Sequence, residues 1–390
     1  MTDRDTLVVR LSEVGSQDTA RVGGKNASLG EMIATLAGAG IRVPEGFATT
    51  AAAYRAFVRA NDLEGVIRAK LAELAPDHGN LAEVGGAIRE AILASELPGD
   101  LVEAVRRAYA EMTTDGQPAT VAVRSSATAE DLPQASFAGQ LETYLNVTGD
   151  EALLDALKHS LASLFTDRAI VYRENNGFDH LEVALSVGVQ RMVRSDKASS
   201  GVMFSIDTET GFPRAILING AWGLGETVVQ GMVEPDEFQV FKPLLDRPEL
   251  APIIKKQLGS KRRKMIYAEP GSTELEDVEE AARERFVLDD AEVLQLARWT
   301  KAIEDHYGQP MDIEWAKDGL TGALFIVQAR PETVQSQRQV GALRTFKLKQ
   351  RGEVLTRGLA IGDAIGSGRV VQVDGAGERD RFVHRGVLAP

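Results

Sequence analysis

The stretch "PMDIEWAKDGLTGALFIVQARPET" at residues 310–333 alternates apolar and polar side chains on both sides of a glycine-containing turn, which predicts a β-hairpin. Asp312 and Glu314 share one face of the first strand, and Gln328 and Arg330 share one face of the second. If Asp312 pairs with Gln328, all four side chains lie on the same side. Two carboxylates so close offer the hard oxygen ligands that Mg²⁺ prefers. A cross-strand patch of salt bridges on a wet sheet face is the alternative that the pattern leaves open.

A second stretch, "AVRSSATAEDLPQASFAGQ" at residues 122–140, begins at the end of a short apolar strand. Arg124 falls on the strand face opposite the neighbouring valines. Ser125 and Ser126 supply hydroxyl groups, and small residues as far as Gly139 leave the backbone approachable. This combination suits a flap over a polyphosphate, because backbone N–H groups can turn towards the anion. A solvent-exposed loop of small residues explains the pattern equally well.

The stretch "VGGKNASLGEMIATLAGAG" at residues 22–40 has apolar residues at helical spacing after a double glycine. It predicts a helix that starts near Lys25 and follows Gly23 and Gly24. A helix N-terminus has unpaired N–H groups and a partial positive charge, so a lysine there could complete an anion site. The spacing alone favours the simpler interpretation, a glycine turn before an amphipathic helix with a solvated lysine, since it is not the P-loop pattern.

Three further segments carry weaker signals. "EVALSVGVQRMV" at 182–193 predicts an apolar strand whose end, with Gln190 and Met192, could edge an adenine pocket, although a core strand is the commoner explanation. "INGAWGLGETVVQG" at 218–231 has three glycines before an acid and either lines a ligand cleft or turns the chain. "KKQLGSKRRK" at 255–264 is a basic cluster, which favours a solvated surface over a phosphate contact.

Composition limits the class of protein. A chain of 390 residues that is 44% hydrophobic is long enough for two or more domains and can bury a core. The pattern at residues 51–115 predicts a helical scaffold. A formal net charge of −13 argues against a general nucleic-acid or anionic-membrane surface, so any phosphate site must be local. Without cysteine there are no disulfides or thiolate metal sites. The charged start "MTDRDTLVVR" lacks the apolar core of a signal peptide, so we expect a cytoplasmic protein.

Several blocks together resemble the phosphoenolpyruvate synthase family, also called pyruvate, water dikinase. Besides the flap stretch they are "RVGGKNASLGEM", "SSGVMFSIDTETGF", "GSK", "HYGQPMDIEWAKDG" and "LFIVQARPET". They follow the family's order over about residues 8–370. The resemblance implies an α+β fold, an ATP-grasp nucleotide-binding domain of two subdomains, with ATP and Mg²⁺ in the cleft between them.

The resemblance also implies roles for individual residues. Lys25 and Arg124 would contact the phosphates, and Arg330 would neutralise charge on the transferring phosphoryl group. The flap and its ends would be formed by Ser125, Ser126, Gly139 and Gln140. Gln190 and Met192 would form the adenine side. The metal side would consist of Glu314, Gln328 and the neighbouring Asp312.

The end of the chain departs from the family. None of His78, His159, His180, His306 and His384 stands in the Gly- and Thr-rich motif of the family's phosphorylated histidine. The expected organisation is an ATP-grasp domain at 1–335, a linker at 336–350 and the start of a swivelling phosphohistidine domain at 351–390. Pyruvate would then act only through C-terminal domains that this chain lacks, and a homodimer would form through the same missing regions.

The implied reaction of the family converts ATP, pyruvate and water into AMP, phosphoenolpyruvate and phosphate through a phosphohistidine. We expect this chain to be the ATP-binding module of such an enzyme and to be incomplete for the whole reaction. Two alternatives stay open. One is a non-catalytic nucleotide-binding fragment, and the other is a module of an antibiotic phosphotransferase of the rifampicin type, which the wording of "DIEWAKDG" disfavours.

Overall fold

The computed structural model describes most of the chain between Thr6 and Glu332. The described ranges are 6–114, 116–128, 142–247, 249–269 and 271–332, with the backbone of 369–372 and 386–389. Helices and strands are mixed throughout, so the predicted α+β class is confirmed. In these ranges no helix combines the length and the apolar character that a membrane crossing requires.

The described residues form ten α-helices and fifteen strands, numbered here in chain order. The helices are α1 Thr19–Thr35, α2 Ala51–Ala60, α3 Leu63–Ala72, α4 Leu81–Ala94, α5 Gly99–Ala110, α6 Asp150–Ala162, α7 Asp167–Asn175, α8 Glu226–Val229, α9 Glu280–Arg283 and α10 Asp290–Tyr307. The strands are β1 Val8–Arg10, β2 Gly46–Thr49, β3 Thr120–Ala127, β4 Thr143–Thr148, β5 Leu185–Arg191, β6 Ser199–Phe204, β7 Ala215–Trp222, β8 Asp236–Phe241, β9 Ile253–Gln257, β10 Arg263–Tyr267, β11 Thr273–Asp277, β12 Met311–Lys317, β13 Leu324–Pro331, β14 Arg369–Gln372 and β15 Gly386–Ala389.

The first sheet has the strand order β1-β2-β5-β3-β4, with antiparallel neighbours. One face is covered by the helical region that the sequence predicts at 51–115 and by α6, and α7 packs against α4. Phe57, Ile88 and Val105 from these helices share a buried cluster with Val121 and Val123 of β3. The valines of β3 therefore face the core, and Arg124 faces away from it, as the alternation predicts.

The second sheet has the order β13-β12-β6-β7-β8-β9, also with antiparallel neighbours. Helix α10 packs against it with Leu296 and Ile303, one apolar stripe at helical spacing. Met32 of α1 and Trp315 of β12 belong to the same buried cluster. Because α1 also contacts β3 and β5, it lies between the two sheets and joins them.

Two short pairs of strands complete the described structure. Strands β10 and β11 form a separate antiparallel hairpin, and the backbone of β14 and β15 forms a parallel pair.

The predicted hairpin at 310–333 is confirmed, but its expected register is wrong by two residues. Asp312 pairs with Arg330, and Glu314 pairs with Gln328. The shift is even, so the four polar side chains still share one face of the sheet, because side chains alternate with a period of two. The closer pairing puts the acid and the arginine directly opposite each other, which the expected register did not.

The predicted helix start near Lys25 is confirmed, and a short helical stretch that the pattern did not predict precedes it. Helical structure begins at Thr19, well before Lys25, and it is interrupted at Gly23, where φ is 75° and ψ is 164°. This left-handed φ is one that glycine adopts without steric cost. A new helical segment therefore begins directly after Gly23, and Lys25 lies in its first turn.

Candidate functional site

A cavity of about 400 Å³ lies where the two sheets face each other. The first sheet contributes Ala122, Arg124, Thr143, Leu145, Gln190 and Arg191, and the segment after it contributes Met192, Val193 and Ser195. The second sheet contributes Ser200, Gly201, Glu314, Trp315, Ala316, Val327, Gln328 and Arg330, and the remaining wall is Lys25 of α1 with Leu224, Gly225, Glu226 and Val229. Both sheets are therefore needed to form the site.

The first turn of the helix after Gly23 reaches one end of this cavity. A Cβ atom on Gly23 would lie 2.2 Å from Ser126 Oγ and 2.5 Å from the Ser126 carbonyl oxygen, so only glycine allows this approach. Lys25 Nζ donates to the Ser125 carbonyl oxygen at 3.4 Å. Asn26 holds the helix in place, since its side chain donates to Val22 O and to Ser186 Oγ of β5. The helix N-terminus and the Lys25 ammonium are thus set beside the end of β3.

The Arg124 side chain, on β3 of the first sheet, contacts two residues of the second sheet. Its Nη1 donates to the Val327 carbonyl oxygen at 3.1 Å, and its Nη2 lies 3.9 Å from Glu314 Oε2. Both side chains are partly exposed to the cavity, Arg124 at 19% and Glu314 at 24%. The guanidinium is therefore held at the cavity wall by contacts that leave part of its surface open to a ligand.

Arg330 and Asp312 form an ion pair across β12 and β13. Arg330 Nε and Nη2 both donate to Asp312 Oδ2, at 2.9 and 2.7 Å. Burial raises the pKa of Asp312 above its ordinary value, while the positive charge of Arg330 acts against that shift. The cross-strand salt bridge that the sequence pattern left open is therefore formed by this pair. Arg330 itself also lines the cavity.

Glu314 and Gln328 are the oxygen donors of this hairpin that line the cavity. Glu314 is directly opposite Gln328 in the sheet, and Asp312 is on the same face. Among the described residues no group of three or more His, Cys, Asp or Glu side chains could hold a metal ion alone. Carboxylate and amide oxygens suit Mg²⁺, which is usually held by one or two carboxylates together with substrate phosphates. The donor set therefore fits Mg²⁺ bound jointly with a phosphate ligand.

Gln190 and Met192 line the cavity at the end of β5. The Gln190 side chain is buried and donates to the Pro44 carbonyl oxygen at 3.4 Å, and the Met192 backbone N–H donates to Thr120 O. Val193 and Leu224 also belong to this wall, so it offers apolar surface beside the Gln190 amide. A planar base could pack there.

Three predicted site residues that the structure describes do not line the cavity, namely Ser125, Ser126 and Asp312. Ser125 Oγ turns to Ser160 O and Ser163 Oγ, on the helical side of the sheet. Ser126 Oγ is buried against Gly23, and it has no hydrogen-bond partner among the described residues. Asp312 lies behind Arg330, and Gly139 and Gln140 lie outside the described residues.

The basic cluster at 255–264 is not part of the cavity lining. Lys255, Lys256 and Lys264 pair with acids at the surface, and Lys261 is fully buried against Asp236. The glycine-rich segment at 218–231, by contrast, does line the cleft, through Leu224, Gly225, Glu226 and Val229. The sequence pattern alone did not show that the glycine-rich segment lines the cavity and that the basic cluster does not.

Sequence reasoning missed the lining residues whose side chains carry no distinctive chemistry. They include Thr143, Leu145, Ser195, Ser200, Gly201, Trp315, Ala316 and Val327. Arg191 was also missed, although it lies next to Gln190. Its guanidinium forms an ion pair with Glu45. The alternation of β4 could have pointed to Thr143 and Leu145, but no local signal identifies the others.

Comparison with known proteins identifies the family to which the chain belongs. Residues 19–350 match the family described as pyruvate phosphate dikinase, AMP/ATP-binding domain. The matched range includes the described cavity residues from Lys25 to Arg330.

The chain is also similar to curated proteins named for one enzyme. It is 53% identical over 391 residues to the phosphoenolpyruvate synthase of Synechocystis sp., covering 96% of this chain and 48% of the relative. It is 52% identical over 393 residues to the phosphoenolpyruvate synthase of Escherichia coli, covering 98% and 48%. A probable phosphoenolpyruvate synthase of Methanocaldococcus jannaschii is 39% identical over 393 residues, covering 99% and 32%. The chain spans about half the length of the first two of these relatives.

Proposed function

Because the chain belongs to the pyruvate phosphate dikinase AMP/ATP-binding domain family, we propose that its cleft binds ATP as the nucleotide-binding part of a phosphoenolpyruvate synthase. The whole reaction would convert ATP, pyruvate and water into AMP, phosphoenolpyruvate and phosphate through a phosphohistidine. Pyruvate binding, any homodimer contact and the histidine step would belong to parts of the enzyme outside this range. The two sheets around one cleft are the basis for proposing an ATP-grasp arrangement at 1–335, followed by a linker and the start of a swivelling domain. Cytoplasm is the proposed location.

The charge of the cleft is the observation that carries this proposal. Its described lining includes four basic side chains, Lys25, Arg124, Arg191 and Arg330, and two acidic ones. The whole chain has a formal net charge of −13. Among the lining side chains positive charges outnumber negative ones, although Arg191 and Arg330 also pair with Glu45 and Asp312 outside the lining. Such a cluster of cations is expected where a polyphosphate binds, since a cleft between low-dielectric walls focuses the field of its charges.

The basic side chains are arranged for a chain of phosphates. Lys25 and the helix N-terminus after Gly23 would bind one end, where N–H groups and the helix dipole favour an anion. Arg124 would exchange its Val327 carbonyl contact for charge-assisted hydrogen bonds to phosphate oxygens, which are the stronger kind. Arg330 of β13, in the second sheet, would neutralise charge on the phosphoryl group while that group is transferred. Gly139 and Gln140 remain proposed parts of the flap, whereas Ser125 and Ser126 are buried residues of β3.

Glu314, Gln328 and Asp312 would hold Mg²⁺ at the hairpin, and bound Mg²⁺ would neutralise phosphate charge during transfer. Glu314 is the first choice, because its carboxylate faces the cavity. Asp312 would have to exchange its contact with Arg330 for the metal. Gln190 and Met192 would receive the adenine at the wall that they share with Val193 and Leu224.

A second candidate is a nucleotide-binding fragment without phosphoryl transfer. One observation favours it: among the histidines that the structure describes, none lines the cavity. His78 contacts Glu174, His180 accepts from Arg173, and His306 contacts Glu31. An acceptor histidine would have to come from elsewhere. An antibiotic phosphotransferase module gains no support from the comparisons, whose relatives quoted above carry the name of the synthase.

The decisive experiment is titration of the chain with Mg-ATP by calorimetry, together with thermal unfolding. Binding is expected, and ATP at about 100 times its dissociation constant should stabilise the folded state by about 2.7 kcal/mol. Arg124→Met should weaken binding by about tenfold or more, which corresponds to about 1.4 kcal/mol of lost phosphate contact.

Arg89→Met is the matched control. Arg89 also contacts one backbone carbonyl and one carboxylate, of Phe165 and Asp167, but it lies outside the cavity lining. Its loss should leave ATP affinity unchanged. Absence of both heat and stabilisation at millimolar ATP in the wild-type chain would contradict the proposed function.

A further inference from the structure

The β10–β11 hairpin belongs to neither large sheet and runs from one to the other. Its base follows β9 of the second sheet and is held there by Lys261, whose Nζ donates to Asp236 Oδ1 and, at 3.0 Å, to Gly259 O. Both charged side chains are fully buried. The base of the hairpin is therefore a fixed part of the second sheet.

The tip of the hairpin contacts the first sheet through one residue of β4. Asn146 Nδ2 donates to the carbonyl oxygens of Glu269 and Ser272, at 3.0 and 2.9 Å. The Gly271 N–H donates to the Asn146 carbonyl oxygen at 2.8 Å. Three hydrogen bonds thus join the turn of the hairpin to β4, and Asn146 is 5% exposed.

Asn146 has an unusual backbone for a strand residue. Its φ is 59°, in the left-handed region, and the pairing of β3 with β4 shifts register at this point. Asparagine tolerates this region better than most residues, and such a bulge redirects a side chain out of the regular alternation. The distortion aims the Asn146 amide at the hairpin, while the neighbouring Leu145 lines the cavity.

Between its two ends the hairpin supports the cavity wall. The Leu224 N–H donates to Met265 O at 2.9 Å, and a Cβ on Gly223 would lie 2.5 Å from the same carbonyl oxygen. The Arg194 guanidinium lies 5.0 Å from the centre of the Tyr267 ring. Leu224 itself lines the cavity, and Arg194 lies between two residues that do. The hairpin therefore touches the two segments proposed to surround the base.

We propose that Asn146 is a positioning residue for the nucleotide. It fixes the hairpin between the two sheets, and the hairpin in turn holds the Gly223–Glu226 segment and the segment around Arg194 in the shape that binds nucleotide. The inference rests on the proposed function, because it takes the ligand to be ATP. Without the Asn146 contacts the two sheets can separate on the hairpin side. The hairpin and the two wall segments would then have to become ordered each time ATP binds. This ordering costs free energy and so weakens the affinity for ATP.

The test compares Asn146→Asp with wild type. Aspartate has nearly the same shape and tolerates the same φ, but it cannot donate to the Glu269 and Ser272 carbonyl oxygens. The probe is Mg-ATP, with a fluorescent ATP analogue for stopped-flow dissociation. We expect the dissociation constant to rise by about tenfold, chiefly through faster dissociation, since two hydrogen bonds are lost in the clamp.

Asn61→Asp is the matched control. Asn61 Nδ2 also donates to two backbone carbonyl oxygens, of Phe57 and Glu96, but both lie in the helical region of the first sheet. This variant should bind ATP as wild type does. Asn146→Gly is the second test variant, because glycine adopts the left-handed φ without cost and removes the side chain alone.

Amide hydrogen exchange without nucleotide gives an independent readout. In both Asn146 variants the Leu224 amide and the hairpin amides should exchange faster, while α10 amides stay unchanged. Folded variants with wild-type exchange, affinity and dissociation rate would overturn the proposal. If wild type binds no ATP, the proposed function itself has failed. If wild type binds and the variants bind equally well, only the role of Asn146 has failed.

Discussion

Two ion pairs in this molecule have similar chemistry and opposite surroundings. Lys261 and Asp236 lie at the base of the β10–β11 hairpin with both side chains fully buried. Arg330 and Asp312 lie at the cavity wall, with side chains 30% and 15% exposed. Asp236 also accepts from the backbone N–H groups of Gly259 and Val287, at 2.9 and 2.8 Å. The first pair is committed to the backbone around it, and the second borders open space.

The difference shows which pair is architectural and which can serve a ligand. Removing one partner of a buried pair leaves an uncompensated charge in a medium of low dielectric, so such a pair cannot change partners cheaply. A partly exposed pair gains little from its mutual attraction, because water competes with it. Arg330 can therefore turn to a phosphate at small cost to the fold, whereas Lys261 cannot leave Asp236.

The largest expected effect is on Lys261. Lys261→Met should lower the free energy of unfolding by about 3 to 5 kcal/mol, because Asp236 would remain buried without its cation. Chemical denaturation followed by circular dichroism measures this loss. Lys255→Met is the control: Lys255 pairs with Glu237 while 48% exposed, and its loss should cost less than about 1 kcal/mol. Equal and small losses for both variants would remove the distinction drawn between the two regions.

The next largest effect is expected at the cavity, where a substitution should change ATP affinity and leave the free energy of unfolding nearly unchanged. Glu314→Gln should weaken ATP binding by about tenfold when Mg²⁺ is present and hardly at all in a chelator, because the amide keeps an oxygen but loses the charge that Mg²⁺ prefers. Paired titrations with and without Mg²⁺ measure the difference.

Glu237→Gln is the corresponding control for Glu314→Gln. Glu237 is also a strand carboxylate in an ion pair and is 25% exposed, but it is not part of the cavity lining. It should leave both titrations unchanged. An equal loss of affinity with and without Mg²⁺ would favour the ion pair of Glu314 with Arg124 over a metal site.

The smallest expected effect is the cost of Arg330→Met to folding, which should stay below about 1 kcal/mol. Burial already raises the pKa of Asp312, and loss of Arg330 would raise it further. Because the protonated carboxyl carries no charge to desolvate, the deficit relative to wild type should shrink as the pH falls through this raised pKa. Urea unfolding across a pH series tests the sign. A deficit as large as that of Lys261→Met would make the cavity pair architectural as well.

The hairpin at 310–333 shows how far local pattern extends. Alternation predicted both strands, the turn and the shared face of Asp312, Glu314, Gln328 and Arg330, because the side-chain period of a strand is a local property. The register was wrong, because it depends on how the turn closes and how β12 pairs with β6 on its other edge. The double glycine correctly predicted a helix start near Lys25, but the contact of Gly23 with Ser126 could not be predicted from the local pattern.

The sequence by itself determined the α+β class, the helical region at 51–115, the inward valines of β3 and a set of basic and acidic residues suited to a phosphate site. Tertiary structure alone decided that Lys261 is buried against Asp236 and that Asn146 holds a turn more than 120 residues further along the chain. Periodicity reports only which face of an element is apolar. The partner of a polar group is chosen by packing between distant segments, where burial makes an unpaired donor or charge costly.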